Sequence, residues 1–306
     1  MSVESPLTWM IYGAYGYSAE LIAREAVKRG LRPVLAGRNA AKVARLAAEL
    51  GLPQRVFGLD DPAELAQGLA GIGLVLHCAG PFSATGAQMV EACIAARAHY
   101  LDICGELAVL ERMHSYHARA LAQGVVVCPA VGFDVVPTDC VAAHLKAALP
   151  DATHLALGFD TRSALSPGTA RTTVESIAHG GKVREAGVIR TVSLAHDVRR
   201  IDFGDGEKLA VTVPWGDVFT AYVSTGIPNI AVYTVAPVGL IPLAKLADPL
   251  RGVVGLSVVQ RVAQGLLGKL IQGPDEAARQ GVPTYVWGEA RNAAGATKTA
   301  RIQVEN

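Results

Sequence analysis

The feature that most constrains this chain is a rhythm. Between Leu7 and Cys128, short apolar runs at residues 7–12, 32–36, 55–58, 74–78, 100–103 and 125–128 alternate with segments whose apolar residues recur at helical spacing. Within the runs polar and apolar residues do not alternate, so neither face of such a strand suits water. Runs of this kind separated by helices predict a parallel sheet covered on both sides. The helices fall at 18–29, 62–69, 85–96 and 107–122, with a further one carrying Val43, Leu46, Ala47 and Leu50 on one face. A doubly wound domain fits within residues 1–135.

After Pro129 the texture changes. A helix is expected over 137–148, where Pro137 suits a first turn. Residues 153–223 then become rich in Thr, Val and Gly and read as mostly antiparallel strands. Phe203-Gly204-Asp205-Gly206, between runs at 198–202 and 209–213, reads as a hairpin. Residues 243–272 read as a helical hairpin, and 284–290 and 298–304 as two closing strands. The expected fold class is therefore α/β, an N-terminal doubly wound parallel sheet with a second, mixed α+β domain over 136–306.

Composition and spacing remove several functions. Lys plus Arg number 28 against 27 Asp plus Glu, which leaves no basic excess for phosphate backbones, so a nucleic-acid partner is not expected. The cysteines, Cys78, Cys93, Cys104, Cys128 and Cys140, never form a C-x-x-C pair. That usage points to reduced, buried thiols in a cytoplasmic protein rather than a disulfide frame or a zinc site. No metal is expected either: His114 and His117 stand on one helix without the Glu of an H-E-x-x-H pattern. The first residues lack the basic-then-apolar order of a secretory leader. The apolar stretch at 235–271 is broken by Lys245, Asp248, Arg251, Arg261 and Lys269, so no transmembrane segment is expected, while peripheral membrane contact stays open.

The first strand-to-helix turn reads Gly13-Ala14-Tyr15-Gly16-Tyr17-Ser18-Ala19. One glycine permits the tight turn, the next lets backbone approach a pyrophosphate, and Ala19 keeps the helix close to the strand. The helix N-terminus adds free N–H groups. The spacing, G-x-x-G-x-x-A, departs from G-x-G-x-x-G; its place in the first βα unit is what makes it a dinucleotide site. At the end of the second strand, Gly37-Arg38-Asn39 offers no carboxylate to a ribose 2′-hydroxyl, whereas the Arg38 fork suits a 2′-phosphate, which favours NADP(H). Asp60 either accepts from the adenine amino group or joins Asp61 in capping the next helix. After the fourth strand, Ala79-Gly80-Pro81-Phe82 puts small residues where backbone passes the nicotinamide ribose.

Together with Tyr100-Leu101-Asp102-Ile103-Cys104-Gly105-Glu106, these motifs resemble those of the saccharopine dehydrogenase-like oxidoreductases, and among them the short bacterial branch that includes trans-acting enoyl reductases. Ser166-Pro167-Gly168-Thr169-Ala170, Pro214-Trp215-Gly216-Asp217 and Ser224-Thr225-Gly226-Ile227-Pro228-Asn229 carry the resemblance into the second half. It implies a Rossmann-type domain binding NADP(H) and a mixed domain that covers the nicotinamide and shapes the substrate pocket. The implied chemistry is hydride transfer to or from a small or lipid-like substrate, an enoyl group among the options. The alternative is a non-catalytic NADP(H) sensor or adaptor, because no unambiguous proton-transfer pair is present. No Tyr is followed four residues later by Lys, which removes the short-chain dehydrogenase relay, and no G-x-S-x-G elbow occurs. The candidate proton donors are Tyr100, Asp102, Glu106 and Asp134, each as readily a cap or an ion-pair partner. A homodimer built through the second domain is left open.

Overall fold

The computed structural model describes residues 7–162, 179–236 and 282–305, with isolated positions between 239 and 259. Apart from those isolated positions, the helical hairpin expected at 243–272 lies outside the described residues, as does the motif at 166–170.

Met10 and Ile11 are both wholly buried, as a strand with apolar residues on both faces requires. β1 (Trp9–Tyr12) accordingly sits inside a sheet between β2 (Val34–Gly37) and β4 (Leu74–His77). With β3 (Gln54–Val56), β5 (His99–Asp102) and β6 (Val127–Cys128), the order is β3-β2-β1-β4-β5-β6. Every pairing is parallel. The crossovers carry α1 (Tyr17–Lys28), α2 (Ala40–Leu50), α3 (Pro62–Leu69), α4 (Phe82–Ala96), α5 (Leu107–Ser115) and α6 (His117–Gln123). Alternate residues of β1 serve opposite layers. Ile11 packs with Ala19, Ala23, Val43 and Leu46, whereas Met10 and Tyr12 pack with Met89, Val90, Tyr100 and Met113. Fully burying an aliphatic side chain contributes roughly 1.5–3 kcal/mol, so both layers are needed and the sheet is doubly wound. The winding reverses between β1 and β4, where an open parallel sheet leaves a crevice at its carboxyl ends.

Two details differ from the reading of the sequence. The helix expected over 107–122 breaks at Tyr116 (φ −79°, ψ −4°), which closes α5 and opens α6. The Tyr116 ring is buried and its hydroxyl donates to Glu91 at 2.8 Å, which holds the break in place. The cysteines are all free, but Cys128 and Cys140 are exposed rather than buried. Cys128 ends a two-residue strand and Cys140 lies on the outer face of a helix.

Contacts divide the chain into Met1–Gly132 and Phe133–Asn306. The second unit opens with α7 (Val136–Ala148), a proline in its first turn. Its sheet runs β10 (Val198–Asp202), β11 (Glu207–Thr212), β12 (Asn229–Val235), β7 (Ala152–Thr161), β13 (Pro283–Asn292), β14 (Thr297–Glu305). Off this path, β8 (Gly181–Glu185) pairs with β12 and with β9 (Val188–Val192). The 203–206 hairpin forms with Asp202 opposite Glu207, and the Asp202 carboxylate accepts the Gly204 N–H at 2.9 Å. β12 runs parallel to β7, Asn229 opposite His154, while the other pairings are antiparallel, so the sheet is mixed and mostly antiparallel, as expected. One correction follows: at the end of the stretch read as mostly strands, α8 (Asp217–Thr225) is a helix. Its β-branched residues favour a strand locally, yet Asp217, Val218, Ala221 and Thr225 fall on one helical face and are buried together, and packing overrides propensity.

Candidate functional site

At the end of β1 the chain turns back on itself. Gly13 has φ +80°, and a Cβ there would lie 2.9 Å from the Ala79 side chain, so only glycine lets this loop and the loop after β4 meet. The Gly13 and Ala14 N–H groups both donate to the Ala36 carbonyl at 2.8 and 3.0 Å, and Gly16 N–H donates to the Gly13 carbonyl at 2.9 Å. Helix α1 then begins from Gly16 with no side-chain cap. Its neighbours are capped: Asn39 accepts the Lys42 N–H at 3.0 Å on α2, and Asp61 accepts the Ala63 N–H at 2.8 Å on α3. An uncapped helix N-terminus behind a glycine turn is a seat for an anionic group.

The end of β2 supplies positive charge. A Cβ on Gly37 would lie 2.8 Å from the Tyr15 ring, so the ring rests directly on the backbone. Lys42 Nζ stands 5.5 Å from the centroid of that ring, and the first turn of α2 holds no acidic residue. Arg38 is exposed beside it. Lys42 was missed in reading the sequence, although its place in the first turn after Arg38 was a usable signal. Asn39, expected as a ligand, commits its amide oxygen to the cap. Asp60 is exposed at the end of β3, and the cap considered for it belongs to Asp61 alone.

The end of β4 is tied down from below and from the side. The Thr85 hydroxyl donates to the Ala79 carbonyl at 2.6 Å and lies 3.0 Å from His77 Nε2. His77 is completely buried among Tyr12, Phe82 and Tyr100. Its Nδ1 has no hydrogen-bond partner among the described residues, and burial lowers its pKa to about 3. The ring is thus neutral, and the pattern requires the proton on Nε2. From the side, the Glu106 carboxylate accepts the N–H groups of Phe82 and Ser83, each at 2.8 Å.

Three of the proton-transfer candidates have structural partners. Tyr100 is wholly buried and donates to Asp102 at 2.7 Å. Asp102, also wholly buried, accepts the N–H groups of Cys104 at 2.9 Å and Ala130 at 2.8 Å. Burial raises the Asp102 pKa against these hydrogen bonds, and burial and the adjoining Asp102 raise that of Tyr100. Glu106 holds α4. Cys78, just after β4, has its thiol pushed up to about 12 by burial. That leaves it protonated and a poor nucleophile.

In the second unit, Asp134 keeps its carboxyl free of any hydrogen bond among the described residues, and burial raises its pKa to about 6. Its backbone carbonyl accepts from the Trp215 indole. Ser224 donates to Asp139 at 2.6 Å, and Asn229 donates to the Thr153 carbonyl at 2.8 Å. The 214–217 and 224–229 motifs thus stitch their own unit together. Among the described residues no group of three or more His, Cys, Asp or Glu converges as metal ligands, and no helix is long and apolar enough to cross a membrane.

Residues 9–128 match the family model described as the saccharopine dehydrogenase NADP binding domain. A mouse saccharopine dehydrogenase-like oxidoreductase is 30% identical over 156 residues, 44% of this chain and 36% of that protein. A trans-acting enoyl reductase of Mycobacterium ulcerans is 31% identical over 152 residues, 47% of this chain and 36% of that protein. The chain therefore spans little more than a third of the length of these relatives. Among solved structures, apo saccharopine dehydrogenase (L-Glu forming) from Saccharomyces cerevisiae superposes with a TM-score of 0.66 at 13% identity, covering 97% of this chain and 85% of that one. That likeness is one of fold.

Proposed function

We propose, from the match of residues 9–128 to the saccharopine dehydrogenase NADP binding domain model, that the chain is a member of that family and an NADP(H)-dependent oxidoreductase. The observation that carries the reading is the pairing of a glycine cradle with a carboxylate-free, cationic corner. A Cβ would fill the cradle at Gly13, α1 starts uncapped, and Arg38 and Lys42 flank the acid-free start of α2. In this reading Gly13, Ala14, Tyr15, Gly16, Tyr17 and Ser18 take the pyrophosphate. Gly37, Arg38 and Lys42 take the 2′-phosphate, with Asp60 at the adenine. The Ala79, Gly80, Pro81 and Phe82 turn takes the nicotinamide end.

Bound NADP(H) would supply the hydride, and the chain's own residues orient it and exclude water. Residues 1–135 then form the nucleotide domain and 136–306 the substrate domain, in which homodimerisation and a lipid-like substrate are part of the proposal. Asp134 is the remaining candidate for a proton donor, because a pKa near 6 suits a general acid close to neutrality. The enoyl reductase of Mycobacterium ulcerans favours an enoyl substrate. Cytoplasmic residence follows in this reading from the unpaired cysteines.

Fluorescence titration tests the assignment. NADPH is expected to bind more tightly than NADH, and Arg38→Ala is expected to shrink the difference by about tenfold, the size of a charge-assisted hydrogen bond. Equal affinities in the unsubstituted chain overturn it. Binding without consumption of NADPH across enoyl, carbonyl and imine compounds would favour the sensor instead.

A further inference from the structure

We propose that Glu106 is a positioning residue for the nicotinamide end of the nucleotide, holding the loop after β4 through the start of α4. The inference rests on the NADP(H) reading above and goes beyond it, assigning a task to a carboxylate that otherwise looks like a proton donor.

The geometry is unusual for a helix cap, because the cap comes from another strand's loop. Glu106 Oε1 accepts the Phe82 N–H and Oε2 the Ser83 N–H, both at 2.8 Å. The capping residue lies 24 positions further along the chain than Phe82. Each oxygen therefore meets its own backbone donor, and the carboxylate fills the anion seat that the α4 N-terminus would otherwise present. α1 keeps its own seat open, so the two helices that flank the winding reversal differ in this one respect.

Glu106 is itself anchored. Its N–H donates to Cys104 Sγ at 3.2 Å, the Cys104 N–H donates to Asp102, and Asp102 also accepts the Ala130 N–H beyond β6. The loops that follow β4, β5 and β6 are thereby linked in one chain of hydrogen bonds, Phe82 and Ser83 to Glu106 to Cys104 to Asp102 to Ala130. On its other side, the β4 loop is held by Thr85 under the Ala79 carbonyl and by Gly13 against Ala79. A loop fixed from both sides is pre-organised, and ligand affinity then loses less to ordering. The adenine and 2′-phosphate end, at Tyr15, Arg38 and Lys42, makes none of these connections.

Glu106→Gln separates the possibilities, since it keeps the side chain's shape and one acceptor oxygen. It removes the charge and turns an amide N–H₂ toward a backbone N–H. The probes are NADPH and adenosine 2′,5′-bisphosphate, which has the 2′-phosphate but no nicotinamide. With the melting curve unchanged, NADPH affinity is expected to fall about tenfold while the bisphosphate binds as before. Glu106→Asp, too short to reach both donors, is expected to give the same split to a smaller degree, and it takes the place of the Gln variant should that fail to fold. Equal weakening of both ligands, or no change in either, overturns the proposal. Failure of the unsubstituted chain to bind either ligand overturns the NADP(H) reading instead, so the two failures are distinct.

Discussion

Asp102 and Asp217 are both completely hidden from solvent, one in each unit. Asp102 accepts the Tyr100 hydroxyl and the N–H groups of Cys104 and Ala130. Asp217, at the start of α8, has no hydrogen-bond partner for either oxygen among the described residues, and the same holds for Asp139 Oδ1 and Thr220 Oγ1. Thr138 is close by, but its hydroxyl donates to the Val135 carbonyl. An isolated anion in such surroundings is costly, so a buried carboxyl without donors keeps its proton. Burial accordingly places the Asp217 pKa well above the ordinary range, and the neighbouring Asp139 and Asp134 push the same way. The nucleotide unit uses its buried acid as a bracket for backbone, while the second unit stores protons in its own.

The sharpest way to break this comparison is to remove each bracket. Asp102→Ala leaves two N–H groups and a tyrosine hydroxyl without partners in the core, and should cost about 3–5 kcal/mol of stability. Asp217→Asn removes no hydrogen bond and replaces a neutral acid by a neutral amide, so it should cost less than about 1 kcal/mol. Urea unfolding of both variants reads the difference. Equal losses would mean that the Asp217 carboxyl is hydrogen-bonded after all.

Acidity should move the two units in opposite directions. An unfolded histidine takes up a proton near pH 6.5, whereas folded His77 is held to about 3. Between those values the unfolded chain binds the extra proton, so on this account the first unit loses about 1.4 kcal/mol for each pH unit below 6.5. Asp134 has the opposite sign. Its folded value of about 6 exceeds the ordinary 3.8 or so. Its contribution is therefore complete below about pH 4 and is lost as pH rises through 6, at most about 3 kcal/mol in all. Hydrogen exchange followed by mass spectrometry at about pH 6.5 and 4.5 reads each unit's amides separately. Because Asp102 is also raised and works against His77, the informative comparison is with His77→Phe, which should blunt the acid loss in the first unit. Asp134→Asn should flatten the gain in the second. Protection that rises or falls in step in both units would refute the division.

The same contrast explains what could be read in the sequence. The parallel, doubly covered first sheet followed from short apolar runs separated by helices, and the glycine loop and Arg38 from local spacing, because each is written in residues a few positions apart, whereas the strand order appears only in the structure. Lys42 was equally local and was overlooked. Glu106 was read as a candidate proton donor or cap, but its partners could not be, because the N–H groups it accepts belong to Phe82 and Ser83, and no spacing rule links them. Asp102 is similar, since Ala130 lies 28 residues on. α8 was hidden for another reason: the β-branched residues of Asp217–Thr225 argue for a strand, and only the packing of Val218 and Ala221 makes it a helix.

Asn39 offers the finest division between a polar group held by the chain and one held for a ligand. Its side-chain oxygen accepts the Lys42 N–H, so Asn39→Ala should cost about 1 kcal/mol of stability, the usual worth of an N-cap. Asn39→Asp restores the acceptor and should recover that stability. It also sets a carboxylate beside Arg38, where a 2′-phosphate would be repelled. The Ala variant should therefore bind NADPH within about twofold of the original, whereas the Asp variant should bind it more weakly and NADH no worse. A loss of NADPH affinity in the Ala variant as large as in the Asp variant would return Asn39 to the ligand side of the comparison, because the missing amide would then matter for the nucleotide and not only for the helix.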